Sequence, residues 1–188
     1  LEQIRHYFES EYGISSNDWK VFSSKLSRHV FPKKSKLVEA GKVENHLSFI
    51  EKGIVRLYIP NGDGELTFGF VFKGAFVSAY DSFLTQKPSE YVVETITDTV
   101  LWRLDHKELQ EVYASSKIGN LIGRRASEEL FLKKSKRELS LLRDSAEQRY
   151  LNLFDERPEL IREIPLKYIA SYIGVTPQAL SRIRKRIS

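Results

Sequence analysis

The sequence predicts an α+β protein: an N-terminal double-stranded β-helix (jelly roll) preceded by helices, a long dimerisation helix, and a C-terminal helix-turn-helix domain. Three observations carry this prediction. Six of the ten glycines fall between Gly41 and Gly74, punctuating short strand-like runs. No Pro interrupts residues 115–142, where apolar residues return at helical spacing. The last 27 residues hold the whole charge excess of the chain, in two helix-like segments that meet at a Gly.

From Leu1 to about Val30 the pattern reads as helical. Ile4, Tyr7 and Phe8 share a face, Gly13 is a stop, and Val21, Phe22 and Leu26 resume the period. Strand-like runs then follow. Leu47–Ile50 leads through a turn at Glu51-Lys52-Gly53 into Ile54–Ile59. Pro60-Asn61-Gly62-Asp63-Gly64 is a hairpin signal, because Asn and Gly tolerate the positive φ of tight turns. Leu66, Phe68, Phe70 and Phe72 alternate with Thr67, Gly69 and Val71, the two-residue period of a strand with one buried face. Tyr91–Ile96 and Val100–Leu104 add two more strands, and short strands between turn signals predict a jelly roll.

Asp105-His106-Lys107-Glu108 reads as a capping box, the Asp accepting from the third helical N–H. In the long helix Ile118, Ile122, Ala126 and Leu130 recur every four residues, with Leu121 beside them. This seam is expected to pair with a second copy, the alternative being that it packs back on its own roll. Ser145-Ala146-Glu147-Gln148 is a second capping box, opening a helix that carries Tyr150, Leu153 and Phe154 before Pro158. The expected domains are residues 1–114 (sensor roll with N-terminal helices), 115–142 (dimerisation helix) and 143–188 (helix-turn-helix).

Composition narrows the function. Of 188 residues, 41% are hydrophobic and 29% charged, ordinary values for a protein with a real core. No apolar run approaches a bilayer span and the start has no signal-peptide pattern, so a cytoplasmic protein without a membrane partner is expected. The absence of Cys excludes disulfides, thiolate metal sites, Cys-ligated iron–sulfur clusters and Cys nucleophiles. Met is absent too and the chain opens at Leu1, which reads as a fragment with methionines missing from the sequence; spacings across such points would be short by a residue. His6, His29, His46 and His106 stand alone in sequence, so neither haem nor a metal site is expected, and no cofactor. A β-roll enzyme would need clustered His and carboxylates on its strands, but His46 is the only His between Phe31 and Asp105. No catalytic residue is expected. Lys plus Arg exceed Asp plus Glu by five, and residues 162–188 alone carry that excess: six basic residues and Glu163. Residues 1–161 hold 24 of each sign. A basic terminal segment is what a nucleic-acid-binding domain would carry.

The segment from Ile164 to Ile183 reads as a helix-turn-helix. Pro165 suits a first helical turn. Ile169 and Ile173 lie on one face, and Ala170 lets a second helix cross closely. Gly174 takes the tight turn, Val175 plugs the corner, Thr176 is an N-cap followed by Pro177, and Leu180 and Ile183 point inward. Gln178, Ser181, Arg182 and Lys185 are left on the outer face, with Arg184 and Arg186 flanking. Arg can bond both acceptors of a guanine edge, Gln an adenine edge, and Ser or Thr a phosphate. The rival is a ligand-binding signalling module whose C-terminal hairpin docks onto a protein; it would not require this polar face.

A β-roll, a long helix and a C-terminal helix-turn-helix in this order resemble the Crp/Fnr family of bacterial transcription regulators over nearly the whole chain. Pro165–Arg184 is the most specific part and resembles Bacteroidetes-type members, while Gly41 and Gly53-Ile54-Val55-Arg56 are similar to the cyclic-nucleotide-binding roll. The resemblance implies a homodimer that binds pseudo-palindromic double-stranded DNA and contacts RNA polymerase. It places Gln178 and Arg182 at base-reading positions and Thr176 at a phosphate contact. Pro177 departs, since a base-reading Arg often stands there. In the family's nucleotide cassette a Gly-Glu holds the ribose, and an Arg after a Pro pairs with the cyclic phosphate. Here Gly74 and Pro88 are kept, but Ala75 replaces the Glu and Ser89 the Arg, with Glu90 adjacent. Without a cationic partner the phosphate loses its strongest bond, so cAMP binding in the family mode is not expected. A retuned effector pocket would involve Gly74, Phe76, Val77, Ser78, Pro88, Ser89 and Tyr91, with Tyr80 and Phe83 as further aromatic walls.

Overall fold

The computed structural model describes every residue except Asp63, Ser116 and Ser188; the side chains of Ser115, Lys117, Ile118 and Ile122 also lie outside the described set. Helices α1 (Glu2–Tyr12) and α2 (Ser16–Ser23) precede strands β1 (Ser27–Phe31), β2 (Lys36–Val38), β3 (His46–Lys52), β4 (Ile54–Asn61), β5 (Gly64–Phe72) and β6 (Phe76–Val77). Then come α3 (Tyr80–Thr85), β7 (Val92–Thr95), β8 (Thr99–Asp105), α4 (His106–Ser115) and α5 (Lys117–Arg143). The chain finishes with α6 (Ala146–Glu156), α7 (Pro158–Glu163), α8 (Leu166–Tyr172) and α9 (Pro177–Ile187). The strands form two antiparallel sheets of four, ordered β1-β8-β3-β6 and β2-β7-β4-β5, the jelly roll the sequence predicts. Among the described residues no helix is long and apolar enough to cross a membrane.

The N-terminal helices close one end of the roll. Ile4, Phe8 and Tyr12, four apart, are buried in a cluster with Phe49, Phe83 and Leu104 of the roll side. Gly13 ends α1 in the left-handed region, and Ser15 caps α2 by accepting from the Asp18 N–H at 3.1 Å. The helical reading does not extend to Val30. Residues 27–31 pair with β8 as an edge strand, and Val21 is exposed while Phe22 takes the core position. Five tyrosines feel their burial. The Tyr113 phenol is pushed up to about 12, and desolvation likewise raises Tyr7, Tyr12, Tyr58 and Tyr91. Ordinary tyrosines lose their proton near 10. Because the folded state favours the neutral phenol, this stability is intact below pH 10 and is lost as pH climbs through about 12. Phenolate absorbance should show five of the nine tyrosines, Tyr7, Tyr12, Tyr58, Tyr91 and Tyr113, ionising late and together with unfolding. Nine independent ionisations near pH 10 in a folded chain would contradict it.

The alternation in β5 is broken once. Leu57 pairs with Gly69 but Tyr58 with Thr67, so Phe68 is an extra residue at a β-bulge. The bulge shifts the faces. Phe68 packs with Val71 and Leu57 inside the roll, whereas Phe70 and Phe72 pack outward against the C-terminal helices, and Leu66 is exposed. The four residues expected on one face are therefore split between two, because one inserted residue reverses every side chain beyond it.

Asp105 caps α4 through the Lys107 N–H at 2.8 Å, the second helical N–H and not the third. α4 and α5 cross closely at Gly123, where a Cβ would lie 2.9 Å from the Tyr113 hydroxyl. α5 spans about 40 Å at the helical rise. Of its expected seam, Ala126 and Leu130 face a cavity against the chain's own roll, and Ile118 and Ile122 fall outside the described residues. A separate stripe points away: Phe131, Leu132, Leu139 and Leu142 are 57–79% exposed. The helix carries two apolar faces, and the four-residue repeat marked the inward one.

Ser145 accepts from the Gln148 N–H at 3.1 Å and caps α6, but the Gln148 side chain donates to Asn152 at 2.8 Å and leaves the box half-formed; the helix buries Tyr150 and Leu153 and leaves Phe154 exposed. Pro158 begins α7, so the linker Arg157–Ile164 is mostly helical.

Candidate nucleic-acid interface and roll cavity

The helix-turn-helix is assembled by local rules. Pro165 stands just before α8, as its N-cap and not inside its first turn. Gly174 takes φ 79, a conformation costly for any side-chain-bearing residue, and lets α9 turn back. Thr176 Oγ1 accepts from the Ala179 N–H at 3.2 Å. Ile169, Ala170, Ile173, Leu180 and Ile183 are buried together, with Val175 packed against them. That order leaves Gln178, Ser181, Arg182 and Lys185 exposed along α9, and Thr176 exposed at its start. Among the described residues none of these four α9 side chains makes a hydrogen bond or ion pair, whereas Arg186 is tied to Glu147. The outer face of α9 is a free cationic and amide surface.

α8, in contrast, is engaged by its own chain. Two arginines hold its end, where the last carbonyls of a helix lack partners. Arg137 Nη2 donates to the Tyr172 carbonyl at 2.7 Å with its guanidinium 3.8 Å over the Tyr172 ring, and Arg149 Nε donates to the Ile173 carbonyl at 2.9 Å. Burial lowers the Arg137 pKa. Ser171 clamps the helix to the roll: its Oγ accepts from the Thr67 N–H at 2.8 Å and donates to the Glu65 carbonyl at 2.7 Å. Beside it lies Arg56, 1% exposed. Its guanidinium is 4.0 Å from the centroids of both Tyr58 and Tyr168, and its Nη2 reaches Glu65 at 2.6 Å and Glu94 at 3.4 Å. Among the described residues its Nε and Nη1 have no hydrogen-bond partner. Ile54, Phe70 and Ile96 of the roll complete one core with α6–α9. The helix-turn-helix is thus docked on the β4–β5 sheet through α8, with α9 facing away.

Sequence reasoning assigned no docking role to Arg56, Arg137, Arg149, Tyr168 or Ser171. Only Arg56 left a signal, as the one charge in the run Ile54–Ile59.

Under α5 lies a cavity of about 370 Å³ between α1, the roll, α4 and α5. Of the residues named for an effector pocket, Gly74, Phe76, Val77, Ser78, Tyr80 and Tyr91 line this cavity, and Pro88, Ser89 and Phe83 do not. Pro88 is exposed, and Phe83 is fully buried in the core beneath α1. Ser89 turns into its own loop, donating to the Tyr91 carbonyl at 2.8 Å and accepting from the Tyr91 N–H at 3.2 Å. The position where the resemblance puts a phosphate-binding Arg thus holds a buried, locally satisfied hydroxyl. Among the described residues no group of His or carboxylates could hold a metal ion.

Residues 28–116 match the family model of the cyclic nucleotide-binding domain. No curated protein matches the sequence. Among solved structures, the c-di-GMP responsive global regulator CLP of Xanthomonas campestris is similar with a TM-score of 0.71 at 19% identity, over 92% of this chain and 91% of its own. A protein of Eubacterium rectale assigned to the Crp/Fnr family has a TM-score of 0.73 at 16% identity, over 96% of this chain and 87% of its own. FixK2 of Bradyrhizobium japonicum has a TM-score of 0.71 at 17% identity, over 86% and 84%. Each of these spans roll, long helix and terminal helices together, which a shared roll alone would not give. The roll at residues 28–116 is therefore similar to the cyclic nucleotide-binding domain, and the chain as a whole shares its fold with these solved Crp/Fnr-type regulators.

Proposed function

We propose that the chain is a DNA-binding transcription regulator of the Crp/Fnr type, a homodimer that reads a pseudo-palindromic operator through α9. The observation that carries this reading is the free outer face of α9. Gln178 and Arg182 are assigned to base edges, Ser181 and Thr176 to phosphate, and Lys185 to the backbone beyond, on a helix whose inner face is locked by Leu180 and Ile183. The basic C-terminal segment supplies the sequence-independent attraction. RNA polymerase is a further partner on the strength of the resemblance.

The dimer uses the outward stripe of α5. Leu132 and Leu139 are seven apart and Leu142 three further on, the heptad spacing of two paired helices, with Phe131 beside them. Leu139→Lys should convert a dimer to a monomer in sedimentation equilibrium and reduce operator affinity. An unchanged dimer would move the interface elsewhere.

Selecting bound duplexes from a random pool tests the function. The expected result is a two-fold symmetric motif with half-sites about one helical turn apart, roughly 34 Å. Failure to enrich any duplex would remove the reading.

A further inference from the structure

The cavity under α5 is built for a different body from a cyclic nucleotide. Phe8, Leu57, Phe68, Phe76 and Val112 form much of its wall, and several of the polar groups between them are already engaged. The Tyr7 and Tyr12 hydroxyls bond each other at 3.2 Å, Tyr91 donates to Asp81 at 2.5 Å, and Ser78 donates to the His46 carbonyl at 3.0 Å. A sugar and a base edge would each enter with few partners there, at a cost for every unpaired group. Charge reaches the cavity from α5, through Lys133, Lys134 and Glu129, two cations against one carboxylate. Among the described residues neither lysine makes a hydrogen bond or ion pair.

We propose that this cavity binds an amphipathic monocarboxylic acid, its apolar body among the aromatic walls and its carboxylate at Lys133 and Lys134. This deepens the regulator reading by giving its roll a ligand class, but binding itself stands on the cavity. Leu57, Phe68 and Val71 face the cavity, while Arg56, Phe70 and Phe72 of the same two strands face the C-terminal helices. Ligand and docked α8 therefore press on opposite sides of one β4–β5 ribbon.

Calorimetric titration of the full chain with decanoate, held below its micelle concentration, tests the proposal. Saturable binding is expected. The same titration with decyl alcohol, or with the Lys133→Ala/Lys134→Ala variant, should be at least about tenfold weaker, and cAMP should not bind over the same range. Nuclear Overhauser contacts between the decanoate chain and the rings of Phe68 and Phe76 are expected in the unmodified protein, so the placement does not depend on a variant folding. Equal affinity for the alcohol, contacts confined to surface rings, or cAMP binding tighter than the acid would each overturn it. A chain that binds decanoate but no duplex leaves this proposal standing and removes the regulator reading; the converse result does the opposite.

Discussion

Arg182→Ala is expected to weaken binding to the selected operator by about 1–3 kcal/mol, the range for losing one bidentate contact to a base. The loss should come with relaxed preference at a single base pair in each half-site. Arg182 is exposed on α9 and, among the described residues, makes no hydrogen bond or ion pair, so the substitution removes no such bond from the fold, and thermal unfolding should be unchanged. Titration against operator and random duplex checks this. An equal loss on both would make Arg182 a phosphate contact.

Arg56→Ala acts on the fold instead. Removing one partner of a buried ion pair costs about 3–5 kcal/mol in general, and here the lower end applies. Glu65 is 43% exposed and can return to water, and among the described residues two of the Arg56 nitrogens have no hydrogen-bond partner to lose. Glu94, 13% exposed, is the group left stranded. The urea midpoint should fall accordingly, and the Arg56→Met/Glu94→Gln pair should recover part of the loss because no charge stays buried alone. The substitution also loosens α8, since Arg56 is the contact with Tyr168. Hydrogen exchange at the Thr67 amide, which is bonded to Ser171 Oγ, reports that step. Faster exchange there, while amides of β3 and β8 stay protected, is the expected signature. Uniform acceleration across the roll would show that Arg56 supports the sheet and not the docking.

These two residues also mark what could be read from the sequence. The helix-turn-helix was legible because its signals are local: Ala170, Gly174, Thr176 and Pro177 each satisfy a rule within a few residues, and all agree. Arg182 follows as whatever the inward face leaves over. Arg56 meets Tyr168 across more than a hundred residues, and no periodicity encodes that contact. The roll was legible as a class, since glycine-punctuated alternation implies short strands. β1, β2 and β6 were not anticipated, because they are short or nearly all exposed and carry little alternation. The bulge at Phe68 was invisible for a related reason: Leu66, Phe68, Phe70 and Phe72 alternate perfectly in sequence, and only pairing with Leu57 and Tyr58 reveals the extra residue. On α5 the difficulty was ambiguity. Ala126 and Leu130 and the stripe at Leu132, Leu139 and Leu142 both fit a helix, and only the roll's position assigns the first to the cavity. In the ligand cassette, Ser89 in place of Arg was legible as a loss, but its closure on Tyr91 outside the cavity was not.

The central claim is that α9 enters a major groove while α8 stays fixed to its own roll, and methylation protection at guanine N7 on the selected duplex tests it most directly. The account predicts protected guanines in two patches on one face of the DNA, about one helical turn apart, lost in Arg182→Ala and fading steeply with added salt. Guanines that remain reactive throughout a fully bound duplex, at low salt and with the unmodified chain, would contradict it.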